Sequence, residues 1–184
     1  MPRLVEVSPY KQHVQKWRAC SLCDLCHDRK NVVLYRGTIP CDILLLGEAP
    51  GKSEDQMGLP FIGPAGHLLD SLLKKALEGH ENVRLGYTNL VCCFPKESVG
   101  YRDPTPKEIK ACHPRLQELL VIAKPKLVVR VGKLADNYCS IPAETHSVTV
   151  IHPAAILKSD PSQTQLAIQR TILTLADAIQ KAGL

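Results

Sequence analysis

The stretch from Ile43 to Leu69, I-L-L-L-G-E-A-P-G-K-S-E-D-Q-M-G-L-P-F-I-G-P-A-G-H-L-L, restricts the folds open to this chain more than any other. Ile43 to Leu46 is too short and too uniformly apolar for a surface helix, and suits a strand buried on both faces. The run breaks at Gly47 into a long loop, and at Pro64 a helical rhythm resumes with Leu68, Leu69, Leu72 and Leu73. Of the chain's eleven glycines, Gly47, Gly51, Gly58, Gly63 and Gly66 fall here. Glycine loses more conformational entropy on folding than any other residue, so this concentration marks close backbone approach or positive φ. With carboxylates at Glu48, Glu54 and Asp55, the loop reads as the wall of a site.

The rest of the chain repeats the alternation of strand and helix. Residues 9–19 suit a short amphipathic helix with Val14 and Trp17 on one side, and the helix after Pro64 is expected to end near Gly79. Val83 to Val91 reads as a second strand. Thr105-Pro106-Lys107-Glu108 combines an N-cap, a proline at the first helical position and a capping-box glutamate. It opens a helix with Ile109, Cys112, Leu116, Leu119 and Leu120 inward. Leu127 to Val131 and Val148 to Ile151 are the third and fourth strands. Asp160-Pro161-Ser162-Gln163 repeats the cap and opens a last helix with Leu166, Ile172, Leu175, Ala176 and Ile179 inward. The pattern predicts an α/β fold, a three-layer α/β/α sandwich around a four-stranded parallel sheet. Ligands of such sheets bind at the carboxyl ends of the strands, where Gly47 to Phe61, Asn89 and His152 all fall.

A length of 184 residues fits one domain over 1–184, and 45% apolar with 22% charged residues is ordinary for a globular protein. No apolar run reaches the ~20 residues of a bilayer span, so no membrane is expected. The opening M-P-R-L-V-E-V lacks the apolar core of a signal peptide, so the expected location is cytoplasmic. The net charge of +5 is compatible with a phosphate-bearing partner without demanding one.

In a reducing compartment, clustered cysteines point to metal or catalysis rather than disulfides. Cys20, Cys23 and Cys26 lie together, Cys92 and Cys93 are adjacent, and Cys112 follows. Cys41 and Cys139 stand apart and read as small buried hydrophobes. Cys20, Cys23, Cys93 and Cys112 can hold zinc or an iron–sulfur cluster, and ligand count alone does not decide. A full shell of four thiolates leaves no open position, so the centre is expected to be structural.

Gly51-Lys52-Ser53 matches the end of a Walker A loop, but that motif needs four residues between its glycines. Glu48, Ala49 and Pro50 supply three, and Pro50 removes an N–H where the loop needs donors. Phe61, flanked by Gly58, Pro60 and Gly63, can plug the core or present a flat face to a nucleobase. The Asn89 amide, with one donor and one acceptor end, can read a base edge. His152, ahead of Pro153, can cap a strand or stabilise a developing oxyanion. His13, His80 and His146 are expected at the surface.

Taken together, these segments resemble the family 4 uracil-DNA glycosylases, the type with an iron–sulfur cluster, over about Trp17 to Ile179. The resemblance rests on Cys20-x-x-Cys23-x-Leu25-x-x-x-Arg29, then Gly47-Glu48-Ala49-Pro50-Gly51 with Glu54-Asp55, Gly58, Pro60-Phe61 and Gly63-x-Ala65-Gly66. Thr88-Asn89, Cys93, Pro104-x-Pro106, Glu108-x-x-x-Cys112 and His152-Pro153-Ala154 follow in the family's order. It implies a uracil-DNA glycosylase-like fold and an enzyme of base excision repair. Uracil in single- or double-stranded DNA would be flipped out and its N-glycosidic bond hydrolysed, leaving an abasic site. By position, Phe61 would stack on uracil, Asn89 would read its edge, and Glu54 would exclude the methyl group of thymine. His152 would bond the 2-oxygen, while Glu48 and the loop at Ala49 would position water and leaving base. Cys20, Cys23, Cys93 and Cys112 would hold a structural [4Fe–4S] cluster, with zinc as the alternative.

Ala49 stands where better-known uracil glycosylases carry a water-activating aspartate, so the expectation is a dissociative mechanism with water capture. No lysine is placed as a Schiff-base nucleophile, so no strand cleavage is expected. The chain departs from the family at Phe94, where arginine is common, at the longer loop through Ser98-Val99-Gly100, and at Lys158. Cys26 and Cys92 are extra thiols beside the proposed ligands. A monomer is expected, with replication or repair proteins as candidate partners. The competing reading is a non-catalytic, cluster-containing nucleic-acid-binding module that senses uracil.

Overall fold

Alternation along the central strand decides how the layers form. In the computed structural model, which describes residues 7–98 and 100–184, strand β2 (Ile43–Gly47) is buried throughout. Leu44 and Leu46 join one apolar cluster and Ile43 and Leu45 the other, as the two-residue period of a strand requires. What was expected of the first six residues and of Val99 lies outside the described residues.

Four strands run parallel: β3 (Leu85–Asn89), β2, β4 (Leu127–Val131) and β5 (His146–Val150). A two-residue strand, β1 (Arg36–Gly37), adds antiparallel to β3, giving the order β1-β3-β2-β4-β5. Two residues carry no readable periodicity, which is why the sequence predicts four strands. One face of the sheet is covered by α1 (Pro9–Trp17) and α4 (Pro106–Ala123) through Trp17, Leu116 and Leu119. The other is covered by α3 (Pro64–Ala76) and α7 (Pro161–Lys181) through Leu69, Leu73, Leu175 and Ile179. Short helices α2 (Lys52–Met57), α5 (Lys133–Tyr138) and α6 (Pro153–Leu157) follow directly from strand ends β2, β4 and β5.

The caps behave largely as their chemistry dictates. Thr105 and Glu108 form the reciprocal capping box of α4, and Asp160 caps α7 through the Ser162 amide. No return bond from Gln163 accompanies the latter among the described residues. β3 is shorter than Val83–Val91, β5 begins two residues before Val148, and α3 ends at Ala76. Leu166 is 47% exposed rather than inward, because it lies nine residues before Leu175, on the opposite face of α7, while Ala167 and Ile168 pack on the core.

His13 is a correction: it is fully buried, not a surface residue. It lies one turn before Trp17, on the same stripe of α1, and that stripe packs on α4. Its Nδ1 is 2.9 Å from Glu118 Oε1. His80 and His146 are exposed, and Cys41 and Cys139 are buried, as expected.

Candidate active site and cysteine centre

A cleft of about 990 Å³ opens at the carboxyl ends of the strands, and Glu48, Ala49, Glu54, Phe61, Asn89 and His152 all line it. Three elements supply them: the loop after β2, the end of β3 and the cap of α6. Gly47 shows how closely they approach. A Cβ there would run into Asn89 Oδ1 and stand 2.6 Å from Phe61 Cζ, so only glycine lets the amide and the ring share that space. Asn89 is 3% exposed, yet its side-chain amide has no hydrogen-bond partner among the described residues. Buried amides are ordinarily paired, so this one is presented to the cleft.

Phe61 is held in place from several sides. Its φ of 57° is left-handed, a conformation that costs a non-glycine residue roughly 1–2 kcal/mol. Arg36 Nε donates to the Pro60 carbonyl at 3.0 Å, and Nη2 donates to the Phe61 carbonyl at 3.3 Å. Asp70 orients that guanidinium, which also stacks 3.8 Å from the Tyr87 ring. A Cβ on Gly66 would collide with the Phe61 backbone. Glu54 Oε1 accepts from the Ile62 and Gly63 amides at 3.0 and 2.8 Å, fixing the turn that follows the ring. Glu54 is therefore a clamp on the loop as well as a wall of the cleft. Asp55 is buried and accepts from the Lys30 and Asn31 amides, which ties the N-terminal segment to α2.

The cleft's electrostatics are set by burial. Desolvation, and after it the like charge of the Asp103 carboxylate, push the Glu48 carboxyl up to about 7. Asp103 is held where it is by Arg102, which donates to the Asp103 carbonyl and to both oxygens of Glu108. Burial, with the Lys158 cation adding to it, lowers the pKa of His152, which keeps the ring neutral. His152 Nδ1 accepts from the Ala154 amide at 3.2 Å, so the proton sits on Nε2. The site thus offers a neutral N–H donor and a carboxyl poised between its two forms.

Behind the Asn89 backbone lies a second, narrow cavity lined by Cys20, Cys23, Cys93 and Cys112, together with Cys92, Arg29 and Arg115. Cys26 sits in the short 3-10 turn Asp24–Cys26 and does not line it. Among the described residues, no three His, Cys, Asp or Glu side chains converge on a point that one ion could fill. A single zinc at ~2.3 Å from each sulfur demands that convergence, whereas a cluster attaches its thiolates to separate irons and needs them spread around a space. The donor set also comes with cations suited to an anionic centre. Arg29 Nη1 is 3.2 Å from Cys93 Sγ, and Arg115 Nη2 is 3.7 Å from Cys112 Sγ. Four thiolates with two guanidiniums beside them fit an anionic, cysteine-bound centre. Cys92 Sγ lies 3.6 Å from Cys112 Sγ, so the fifth thiol is at the rim of the same cavity.

The sequence pattern of the Uracil DNA glycosylase superfamily matches residues 35–175, most of the chain and every strand. The chain belongs to that superfamily. Its curated relatives include a Type-4 uracil-DNA glycosylase of Sulfurisphaera tokodaii, 39% identical over 120 residues, which are 65% of this chain and 53% of the relative. The Type-4 enzyme of Archaeoglobus fulgidus is 35% identical over 125 residues, 68% of this chain and 60% of the relative. That of Thermotoga maritima is 28% identical over 186 residues, 92% of this chain and 94% of the relative. The chain thus spans little more than half the length of the first of these and nearly all of the last.

Within the superfamily frame, the departures acquire places. Phe94, one of those departures, is buried and lines the cleft, while Lys96, two residues on, is exposed at the same rim. Lys158 also reaches the cleft. Sequence reasoning missed Arg36, Asp103 and Arg115. Arg36 and Arg115 sit in segments with no motif of their own, and Asp103 precedes a proline-rich helix start that explains itself as a cap.

Proposed function

We propose that the chain is a uracil-DNA glycosylase acting in base excision repair on uracil in single-stranded or duplex DNA. The observation that carries this reading is the buried, unpartnered Asn89 amide, set against the Phe61 ring across Gly47, with His152, its proton on Nε2, lining the same cleft. A base flipped out of the stack meets a stacking surface, an edge-reading amide and a donor for its developing oxyanion.

In the mechanism this implies, Phe61 stacks on uracil and Asn89 bonds its edge. The Glu54 side of the wall leaves no room for a methyl group at ring carbon five. The bond between C1′ and the base nitrogen breaks with its electron pair leaving on uracil. His152 stabilises the charge at the 2-oxygen by donating from Nε2, and a neutral imidazole does so without forming a tight ion pair with the leaving base. Glu48 orients the water that captures C1′, and its carboxylate form favours the cationic sugar. The loop amides around Ala49 complete the wall. No strong general base is used, in keeping with the missing carboxylate at Ala49.

A [4Fe–4S] cluster on Cys20, Cys23, Cys93 and Cys112 would supply a crosslink between the N-terminal segment and the sheet, with zinc the less suited occupant. We further infer a single domain over 1–184, working as a monomer in the cytoplasm with repair or replication proteins as partners. No helix among the described residues is long and apolar enough to cross a membrane. The test is a labelled oligonucleotide with one deoxyuridine, incubated with the protein and treated with hot alkali. Breakage at the uracil only after alkali is expected. An intact strand with folded protein present defeats the enzyme reading and leaves the uracil-sensing module.

A further inference from the structure

Arg115 lies one turn after Cys112 on α4 and is 1% exposed, among the bulkiest fully buried side chains of the protein. Its Nη1 donates to Thr88 Oγ1 at 2.9 Å. Its Nη2 donates to the carbonyls of Asn89 at 2.6 Å and Leu90 at 3.0 Å, and approaches Cys112 Sγ at 3.7 Å. Nε has no partner, and none of the ion pairs among the described residues includes Arg115. A guanidinium does not give up its proton in a protein, so this is a buried positive charge whose oxygen partners are all neutral. Removing such a charge from water without an anion to meet it is strongly unfavourable. The acidic groups that bear on it are the sulfurs of Cys92, Cys112 and Cys93. As neutral thiols they offer nothing to a cation; as ligands of an iron–sulfur centre they carry net negative charge. Arg29, beside Cys93, faces the same cavity from the other segment.

We propose that Arg115 is the buried counter-ion of the cysteine-bound centre and the strut that joins it to the strand end presenting Asn89 to the cleft. This rests on the iron–sulfur reading of that centre. The two halves of the guanidinium divide the work. Nη1 and Nη2 hold the turn at Thr88, Asn89 and Leu90, while the charge as a whole offsets the thiolates. The amide that reads the base therefore owes its backbone position to a residue anchored on the metal side of the sheet. Arg115 touches neither base nor sugar; it acts through Asn89 and is a positioning residue.

The experiment uses the full chain as purified, with iron and acid-labile sulfide assayed first. Their absence defeats the iron–sulfur reading itself, an outcome distinct from failure of the Arg115 assignment. With iron present, Arg115→Gln, Arg115→Met and Arg115→Lys are compared by the rate of iron release to a ferrous chelator and by the midpoint potential of the cluster. Loss of the counter-ion is expected to speed release roughly tenfold or more in the Gln and Met proteins and to shift their potential negative. The Lys protein, which keeps the charge but not the fork, is expected to stay within about threefold of the parent in release. Its uracil excision should fall at unchanged iron content, because the bonds to Asn89 and Leu90 are incomplete. Neutral variants that accumulate only without iron, while the Lys protein carries it, give the same answer. Parent-like release and potential in the neutral variants overturn the proposal. So does a Lys protein that loses iron as fast as they do, since shape rather than charge would then govern the site.

Discussion

The cleft and the cysteine cavity share the strand end at Thr88, Asn89 and Leu90, yet they treat polar groups in opposite ways. On the cleft side the Asn89 amide has no partner among the described residues, and His152 and Glu48 line the open space. On the cavity side the same turn is held from behind: Arg115 Nη2 donates to the carbonyls of Asn89 and Leu90, and Arg29 reaches Cys93. Polar groups left unsatisfied are those a ligand must satisfy, and groups tied to sulfur and carbonyl hold a frame in place. The comparison extends to the glutamates of the loop. Glu54 is tied to two amides and serves the frame, while Glu48 has the Asp103 carboxylate as its charged neighbour and is free to act.

Breaking the cleft side alone gives the largest expected effect. Asn89→Ala should lower uracil excision by about 10²–10³ while DNA binding changes only a few-fold, and His152→Ala should fall in the same range. Single-turnover cleavage and a gel-shift titration on the same oligonucleotide measure both quantities. Equal losses in the two would mean that Asn89 holds the loop and does not read the base. Gly47→Ala comes next, at roughly tenfold to a hundredfold in kcat/KM, since its Cβ would displace both Asn89 Oδ1 and the Phe61 ring. Removing a cysteine ligand, with Arg115 left in place, should give the reverse pattern. Cys20→Ser is expected to lose iron and several degrees in melting temperature, with the turnover of the molecules that remain folded close to the parent's. A chemical defect at full stability would erase the distinction between the two sides.

Much of the frame was legible in the sequence because it is local. The Ile43–Leu46 run, the Thr105–Glu108 capping box and the Pro at the head of α7 each carry their physics within a few residues, and the structure follows them. The cleft residues were legible for a related reason: Gly47, Phe61, Asn89 and His152 follow strand ends, where an α/β sheet gathers its ligands. What the sequence hid is pairing at a distance. His13 meets Glu118 across 105 residues, Arg36 reaches Asp70 across 34, and Arg115 reaches back 27 to Thr88. Nothing around an isolated arginine or histidine announces such a partner. Leu166 shows the converse: nine residues before Leu175 it falls half a turn away from the buried stripe, and Ala167 and Ile168 pack on the core in its place.

The smallest expected effect is the most specific to the cleft. Burial first, and Asp103 second, raise the Glu48 carboxyl from the ordinary value of 4.5 to about 7. If its carboxylate is the working form, excision should rise with pH across that value. Asp103→Asn removes the like charge but leaves the burial, so the rise should move to lower pH without falling back to that of a free glutamate. The ratio of activity at pH 6 to that at pH 8 measures this and should increase in the variant. The same carboxyl makes a matching demand on stability. A carboxyl raised in the folded state binds its proton more tightly there than in the unfolded chain. Its contribution is therefore fully present below the unfolded value and is lost as pH climbs from 4.5 through about 7. Glu48→Gln removes the titration, so its melting temperature should gain on the parent's at pH 8 more than at pH 5. Comparable gains at both would place Glu48 in solvent, ionised throughout, and would return it to the frame with Glu54.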